Sequence, residues 1–509
     1  MNQWRRSLSI ALLLLAAAGR PVRAAGLTEA ARLSAAYEDI LSGRIDDARS
    51  KLATACPPAP PVACQSLGLV ILWWQIVVDP DSRSLDAELE SRSASVIAAA
   101  QAWTTREPRR AEAWFYLAGS YGPLVQWRVL RGERIAAARD GNRIRSALER
   151  ALSLDPSLHD ALFGIGLYHY YADVAPAAAK VLRILLLLPG GDRRQGLKEM
   201  LTARDNGALL RGEADFQLHY LYLWYEQQPQ RALELLRGLD SRYPSNPVFL
   251  QRIAEVQNDY LHDHPSSAAA WQTLLDRTQA GRSSAPMLAE ARARIGLAAE
   301  LDAMFESDLA IDHLEQVIRS RPTAPAGALA LAHVQLGEAQ QRLGRADLAT
   351  AAFREALALT DRDDPAGVRE RARAGLRRRL APRATDAYRL SLEGLRALDR
   401  GDRAAAVSAL GRARAMAPAD PMIAFRNARA LHEQGETSAA RAELERLLQV
   451  REGVPPLVIA AACAEYAAIL ERDGDRARAI TLYRRAAETV GGNLRIRERA
   501  AAAVKSLAP

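Results

Sequence analysis

Lysine and cysteine are the scarcest informative residues in this sequence. Only four of the 509 residues are Lys and three are Cys, whereas the other 64 of the 68 basic residues are Arg. Three cysteines cannot build the dense disulfide framework of a small secreted domain, and no spaced pair of C-x-x-C motifs that would hold zinc is present. The excess of Arg over Lys is typical of a GC-rich bacterial genome and indicates no particular chemistry.

The sequence also lacks the patterns of β-strands and of common enzymes. Apolar residues recur with helical spacing and alternating runs are nearly absent, which predicts an all-α fold. No H-E-x-x-H or G-x-S-x-G motif occurs, so we expect no enzyme activity, no cofactor and no metal. His262, Asp263 and His264 could hold a metal only with further ligands from elsewhere in the chain. Because Pro265 follows them, we interpret them as a solvated loop.

The N-terminus has the pattern of a secretory signal peptide over residues 1–24. Arg5 and Arg6 precede an apolar run over 10–18, and Val22 and Ala24 fit the small-x-small cleavage rule. The run is too short to span a bilayer. Removal of four Arg and no acid lowers the formal charge from +8 to +4. We therefore expect a periplasmic or secreted protein, without a transmembrane helix in the mature chain.

The three cysteines have different expected roles. Cys56 and Cys64 flank a Pro-rich turn and could form a disulfide in an oxidising compartment, or could remain two buried thiols. Cys463 stands alone in an Ala-rich segment and is interpreted as a small core residue.

Three segments near the C-terminus, 394–418, 428–452 and 467–491, repeat one pattern. Each begins with a small residue, followed seven positions on by Gly, five later by Ala and four later by a large apolar residue: Gly401, Ala406 and Leu410; Gly435, Ala440 and Leu444; Gly474, Ala479 and Tyr483. Gly lets a first helix end in a left-handed conformation, and Ala lets two paired helices approach closely. The pattern resembles the tetratricopeptide repeat, and Ala406 to Ala440 spans 34 residues, the length of that repeat.

Weaker copies upstream bring the count to about nine units, some of them degenerate. The resemblance implies an α-solenoid of tetratricopeptide-like helix-turn-helix repeats. We divide the mature chain into degenerate repeats with an aromatic-rich central block (25–280), middle repeats with one extra helix (281–384) and C-terminal tetratricopeptide repeats (385–509). In the extra helix, Val368, Ala372, Leu376 and Leu380 lie on one predicted stripe.

The stretch "LLLLPGGDRRQGLKEML" over 185–201 raises the question of a phosphate-binding loop. Gly191 and Gly196 have the spacing of a Walker motif, but Leu197 stands where the phosphate-binding Lys would be and no strand precedes the loop. We therefore predict a connector between helices, with Asp192 capping the second one. The preceding apolar segment, 175–188, is interpreted as a buried core helix, with a surface-lying helix as the alternative.

The motifs "GIGLYHYY" and "PGGDRRQG" resemble secreted bacterial tetratricopeptide proteins. Residues 110 to 250 around them are more distantly similar to the inclusion-body-clearance type of tetratricopeptide protein. That resemblance supplies no catalytic residues and implies a binding or scaffold role.

The aromatic central block supplies the candidate partner-binding residues. Tyr and Trp combine a large contact area with a polar group, which suits peptides or small apolar ligands. Helix pairs also need bulky core residues at the same spacing, so both roles stay open for the candidates Trp114, Tyr116, Tyr121, Trp127, Tyr168, Tyr171, Trp224 and Tyr225.

The expected partner is a protein or peptide, bound on a concave surface. The alternative is a small apolar ligand or lipid held in the aromatic block. In a cytosolic protein, the Arg-rich run over 369–383 would suggest nucleic-acid binding. Because we expect this protein to be exported, we do not expect nucleic acid as its partner. A solvated helix face is the simpler interpretation of the run.

Overall fold

The structure is a computed structural model that describes residues 26–175, 190–360, 364–379, 381–450 and 452–507. Within these ranges every regular element is a helix. The predicted all-α fold of helix-turn-helix repeats is therefore confirmed. The predicted signal peptide, nearly all of segment 175–188 and Leu380 lie outside the described residues.

The described residues contain 24 helices. They are α1 Ala30–Leu41, α2 Ile45–Ala55, α3 Pro61–Val78, α4 Asp86–Arg106, α5 Ala111–Leu130, α6 Arg134–Leu154, α7 Ala161–Val174, α8 Arg193–Asn206, α9 Arg211–Trp224, α10 Pro229–Arg242, α11 Pro247–Asp259, α12 His264–Gln279, α13 Pro286–Ala303, α14 Ser307–Ser320, α15 Ala328–Arg342, α16 Ala346–Leu359, α17 Val368–Arg377, α18 Pro382–Asp399, α19 Arg403–Met416, α20 Pro421–Gln434, α21 Thr437–Gln449, α22 Pro456–Arg472, α23 Arg476–Glu488 and α24 Leu494–Leu507.

The chain divides into two compact units. Of the described residues, the first unit contains those up to Ile40, Arg44–Trp73 and those within Asp86–Ala214, and the second contains Leu41–Gly43, Trp74–Leu85 and those from Asp215 onward. The division falls inside the segment 25–280 that the sequence treats as one block. The three predicted segments are not tested by this division and stay a prediction.

Small residues lie where the two helices of a pair touch. A Cβ atom built on Gly394 of α18 would lie 2.4 Å from Cγ of Leu410 in α19, so only glycine fits there without a shift. Leu410 and Ala406 are fully buried in this contact. At the turn of the following pair, Gly435 ends α20 with a φ of 93°, a left-handed conformation that glycine adopts without strain. The sequence pattern is thus explained by close helix approach and by the turn between the helices.

Phe353 of α16 likewise requires glycine on the two helices that contact its ring, α15 and α17. Its buried ring lies between two glycines, because a Cβ atom on Gly337 would lie 2.5 Å from Cε1 and one on Gly375 would lie 2.2 Å from Cζ. Gly375 belongs to α17, the extra helix that the sequence predicts between repeat blocks. Val368 and Ala372 on its predicted stripe are buried, whereas Leu376, on the same stripe, is 39% exposed.

Helix α3 is the one helix among the described residues that is long and apolar enough to cross a membrane. Residues Pro61–Val78 meet that criterion by length and composition, and 61% of this stretch is buried within the protein. A core helix has the same composition, so burial accounts for its apolar character.

Candidate binding surfaces

Three of the predicted partner-binding aromatics belong to the core of the first unit. Tyr116, Tyr121 and Trp127 of α5 are only 2 to 5% exposed. The Tyr116 ring stacks on Trp103 of α4 at a centroid distance of 6.4 Å. These three side chains cannot reach a partner from where they lie, because they fill the space between helices.

The other candidates are accessible to different degrees. Trp114 is half-buried and its indole Nε1–H donates to the Pro108 carbonyl at 3.0 Å, whereas the half-buried ring of Tyr168 lies under the Arg145 guanidinium at 5.3 Å. More exposed are three side chains that keep their predicted binding role as a prediction: Tyr171 at 36%, Trp224 at 53% and Tyr225 at 36%.

The glycines of "GIG" and "PGGDRRQG" bring α7 and α8 into backbone contact. A Cβ atom on Gly166 would lie 2.6 Å from the Gly196 carbonyl oxygen, and one on Gly196 would lie 2.5 Å from the Gly166 carbonyl oxygen. Asp192 accepts hydrogen bonds from the amides of Arg194 and Gln195 at 2.8 and 3.0 Å. Its carboxylate therefore already occupies the position at the helix N-terminus where an anion would bind. In the part of this segment that the structure describes, from residue 190 onward, Asp192 caps α8 as the sequence predicts.

Asp160 has a role that sequence reasoning missed. It directly precedes α7, but its buried carboxylate makes no cap there. It accepts instead from the amides of Ala208, Leu209 and Leu210 at 2.7 to 2.9 Å. The carboxylate thus holds the connector that leads into α9, 48 to 50 residues further along the chain.

The segment around His262 is not the solvated loop that the sequence predicts. Asp263 is 2% exposed and caps α12, and His264, the first residue of that helix, pairs with Glu300 through Nδ1 at 2.8 Å. The hydrogen bond to Glu300 raises the pKa of His264. In the described parts of the chain no three His, Cys, Asp or Glu side chains are grouped closely enough to hold a metal ion.

Two other buried titratable groups, His219 and Cys463, have pKa values that burial shifts away from their ordinary values. Burial lowers the pKa of His219 to about 3, and its Nδ1 contacts the Phe216 carbonyl. Burial likewise raises the pKa of the Cys463 thiol to about 11, which keeps it protonated and unreactive. Cys56 and Cys64 form a disulfide that joins α2 to α3 across the Pro-rich turn.

A group of polar contacts in the second unit holds segment 305–308, which comprises the end of the turn after α13 and the first two residues of α14. This segment lies on the faces of α18 and α20, about 80 to 120 residues away in sequence. The Arg426 guanidinium of α20 donates to the Phe305 carbonyl at 2.8 Å and to Ser391 Oγ at 2.7 Å. The Ser307 amide and hydroxyl lie 3.3 and 3.0 Å from the Tyr388 hydroxyl oxygen. Segment 305–308 is therefore recognised through its backbone and its side chains.

Two acidic residues of segment 305–308 are held by one arginine. Arg396 of α18 donates to both oxygens of Asp308 at 2.9 and 3.0 Å and to Glu306 at 2.8 Å. Burial alone would lower the pKa of Arg396, but these hydrogen bonds raise it above the usual arginine value. A guanidinium that binds a carboxylate through two parallel hydrogen bonds recognises its shape as well as its charge.

Arg426 is a buried cation with neutral acceptors. The residue is 4% exposed, and burial is the main cause that lowers its pKa below the usual arginine value. Desolvating a charge is costly unless its hydrogen-bonding groups are satisfied. The Phe305 carbonyl accepts one of these hydrogen bonds. Phe305 itself has a φ of 63°, an uncommon left-handed conformation for a bulky residue.

The face of α20 continues beyond Arg426 toward α22. Phe425 and Arg429 are half-buried on the same stripe, one helical turn apart. Farther along, His432 contacts Glu465 through Nδ1, and Arg472 donates to His432 Nε2 at 2.6 Å. The surface next to segment 305–308 thus combines an aromatic ring with charges of both signs.

A cavity of about 220 Å³ lies between α13, α14, α15 and α17 in the second unit. Its lining combines small apolar side chains with two ion pairs: Ala298, Ala299, Asp302, Ala303, Ala310, Leu314, Gln335, Glu338, Ala339, Arg342 and Arg371. Arg371, from the Arg-rich run, binds both oxygens of Glu338 at 2.9 and 2.6 Å. This arginine is therefore part of a structural ion pair rather than of a free basic face.

Comparison with known proteins agrees with the helix pairs. Residues 330–363 and 397–457 each match a family model described as tetratricopeptide repeat. The first range includes Phe353 and Gly337, and the second includes Leu410 and the turn at Gly435. No curated protein is similar to the chain in sequence.

Solved structures with similar helices include three tetratricopeptide proteins of low sequence identity. One is from Parabacteroides merdae, with 16% identity, a TM-score of 0.25 and coverage of 58% of this chain and 99% of that one. A thermophilic protein of this type from Thermus thermophilus has 20% identity, a TM-score of 0.23 and coverage of 42% and 99%. The TPR2AB-domain:pHSP90 complex of yeast Sti1 has 13% identity, a TM-score of 0.23 and coverage of 59% and 99%. From the family matches and the helix contacts we conclude that the chain contains tetratricopeptide repeats.

Proposed function

We propose that this protein is an exported repeat scaffold that binds a protein or peptide on the faces of the first helices of its C-terminal pairs, α18, α20 and α22. The observation that carries this proposal is the contact of segment 305–308 with α18 and α20. There the helix faces hold a short polypeptide segment by its carbonyl, hydroxyl and carboxylate groups. A surface that binds one segment of the chain in this way has the chemistry to bind a peptide.

The neighbouring face of α20 and α22 is the proposed position of the external partner. Phe425, whose ring packs partly against the core, offers an aromatic anchor. Arg429, which donates to Glu433 at 2.9 Å, offers a cation on the same stripe. Interfaces depend on a few aromatic and arginine anchors surrounded by polar groups that exclude water. The partner expected here is therefore a short segment with an apolar and an acidic side chain, similar to the Phe–Glu–Ser–Asp sequence of 305–308.

The place of action is proposed to be the periplasm or the cell exterior. The signal-peptide pattern over residues 1–24 supports it, and the Cys56–Cys64 disulfide is compatible with an oxidising compartment. We propose a scaffold role also because the motifs in residues 110 to 250 resemble the inclusion-body-clearance type of tetratricopeptide protein; this resemblance adds no reaction.

The test is site-specific photo-crosslinking in the native host envelope. A benzophenone amino acid replaces Arg429 on the proposed face or, as the matched control, Arg412 on the exposed side of α19. We expect one defined protein to crosslink at position 429 and not at position 412. Phe425→Ala should reduce that crosslink. Equal crosslinking at both positions, or a crosslink insensitive to Phe425→Ala, would refute the proposed face.

A further inference from the structure

A group of exposed apolar side chains lies in the first unit, at the turn between α5 and α6. Val129 and Leu130, the last two residues of α5, are 61 and 40% exposed, and Ile135, the second residue of α6, is 51% exposed. No other stretch of seven residues in the described chain has three large hydrophobic side chains this accessible. Single exposed apolar residues are common on proteins, whereas a group of them indicates an interaction site.

The turn that carries these side chains is held by ion pairs. Arg131, which follows α5, donates to both oxygens of Asp86 at the start of α4, each at 2.8 Å. Arg128 of α5 pairs with Asp140 of α6 and lies 3.5 Å from Glu133, which precedes α6. These pairs connect the end of α5 to α4 and to α6, so the turn presents its apolar side chains from a defined position.

The positive charges next to the apolar side chains are not neutralised. Arg134 and Arg139 of α6 are exposed, and neither has an ion-pair partner in the part of the chain that the structure describes. Residues four positions apart share one face of a helix, so Ile135 and Arg139 lie on the same face. Glu133 is the one acid between residues 129 and 139, and it is paired with Arg128. The turn therefore combines an aliphatic tip with free guanidinium groups.

This combination fits a lipid surface better than a protein. The energetically dominant residues of protein interfaces are mostly aromatic or Arg, and Leu and Val are under-represented among them. The turn has no aromatic residue between 128 and 139. A bilayer with anionic lipids offers an apolar interior to aliphatic side chains and phosphate groups to arginines. A guanidinium group binds phosphate through parallel hydrogen bonds while its apolar stem stays among the lipid chains.

We propose that the turn between α5 and α6 docks the mature protein on the surface of an anionic phospholipid bilayer. Val129, Leu130 and Ile135 enter the boundary between headgroups and acyl chains, and Arg134 and Arg139 contact the lipid phosphates. The attachment is peripheral and reversible, because a few side chains enter the interface and the helices stay outside the acyl chains. It adds a membrane contact to the proposed peptide binding by the second unit and does not depend on it.

The experiment places an environment-sensitive fluorophore on the turn. NBD is attached to Val129→Cys or, as the control, to Val490→Cys in the turn after α23, where the valine is 66% exposed. The chain is kept non-reduced, so that the buried Cys463 is the one other free thiol. Vesicles of phosphatidylcholine and phosphatidylglycerol should shift the emission at position 129 to the blue and leave position 490 unchanged. No shift at position 129 would refute membrane docking and favour a protein groove as the partner of the turn.

An apolar variant tests the contribution of the tip to vesicle co-sedimentation. Ile135→Asn should weaken binding by about five-fold, since it removes a half-exposed aliphatic side chain that enters the interface. Val490→Asn should leave binding unchanged. Both positions are exposed, so thermal melting followed by circular dichroism should be the same in the two variants and in the parent chain. Equal vesicle binding of the two variants would refute insertion of the tip.

A charge variant tests the contribution of the arginines. Arg134→Gln with Arg139→Gln should weaken binding to vesicles that contain phosphatidylglycerol and leave the weak binding to pure phosphatidylcholine unchanged. The matched control is Arg106→Gln with Arg109→Gln, because these arginines are exposed near the other end of α5. If both double variants lose binding equally, the attraction comes from net charge and the assignment of the turn is wrong.

The outcome is distinguishable from that of the proposed function. The photo-crosslink at position 429 reports on the second unit and uses no lipid. If that crosslink forms but vesicles do not bind, the membrane inference fails and the proposed function stands. Vesicle binding through the turn without the crosslink would have the opposite meaning.

Discussion

The position of Phe353 between two glycines allows a sharp test of why small residues recur in this sequence. We consider Gly375→Ala in α17, alone and together with Phe353→Leu. The added methyl would lie 2.2 Å from the ring atom Cζ, whereas carbon atoms in contact are separated by about 3.5–4.0 Å. The ring would have to move by more than about 1 Å. Gly337 closes its other side at a similarly short distance.

The magnitude follows from two opposing effects. Overpacking of a closed core costs about 1–3 kcal/mol, and we expect the upper end because both faces of the ring are blocked. Replacing a helical glycine with alanine contributes about 1 kcal/mol in the other direction. The net expectation is a loss of about 2 kcal/mol. With Phe353→Leu in place, the clash is removed, and Gly375→Ala should stabilise by up to about 1 kcal/mol.

The assay is urea unfolding of all four proteins in the cycle, with hydrogen exchange of α15 to α17 as a local measurement. Gly411→Ala in α19 is the matched control, because a Cβ atom there meets nothing within 4 Å. It should stabilise the protein in either background. If Gly375→Ala has the same effect with Phe353 and with Leu at that position, close helix approach is not the reason for the glycine.

Three further predictions concern buried polar groups. Burial raises the pKa of Cys463 to about 11. A thiol reagent at pH 8 should therefore label no cysteine in the native, non-reduced chain and one cysteine after unfolding. Labelling of the native chain would contradict this prediction. His219 stays neutral down to a pKa of about 3, below its ordinary 6.5, so the unfolded state binds the extra proton and stability falls as the pH decreases from about 6.5 toward 3. His219→Gln should lessen the loss of urea-unfolding free energy between pH 7.5 and 5, and an unchanged loss would count against a neutral buried ring. Asp160→Ala should destabilise the first unit more than Asp192→Ala, because it leaves three buried or half-buried amides without their acceptor, whereas the amides at the exposed Asp192 cap can bind water instead. Equal melting shifts would contradict the role of Asp160.

The local parts of the fold could be predicted from the sequence. The spacing of Gly394, Ala406 and Leu410 reflects contacts within one helix pair, and Gly435 reflects a backbone conformation at its own position. Asp192 caps the helix that it directly precedes. Such features depend on neighbours close by in the chain, so the pattern itself contains them.

The candidate binding surface could not be predicted, because its contacts join distant residues. Arg426 and Phe305 are 121 positions apart, and nothing in the sequence around either residue indicates the other.

The aromatic residues posed a different difficulty. Helical spacing is the same for a core ring such as Tyr116 and for an exposed ring such as Trp224, so periodicity could not separate them. Asp263 and His264 likewise look like a polar loop until Glu300 is placed beside His264.

The most direct test of the peptide-binding face is hydrogen exchange of the peptide segment that contains residues 304–308. Arg426→Met removes the donor to the Phe305 carbonyl, and Arg429→Met on the same helix is the control. We expect faster exchange of this segment in Arg426→Met, with α18 and α20 still protected, and no change in Arg429→Met. Exchange that is equally slow in both variants would show that the face of α18 and α20 does not hold the segment through this contact, contradicting the account.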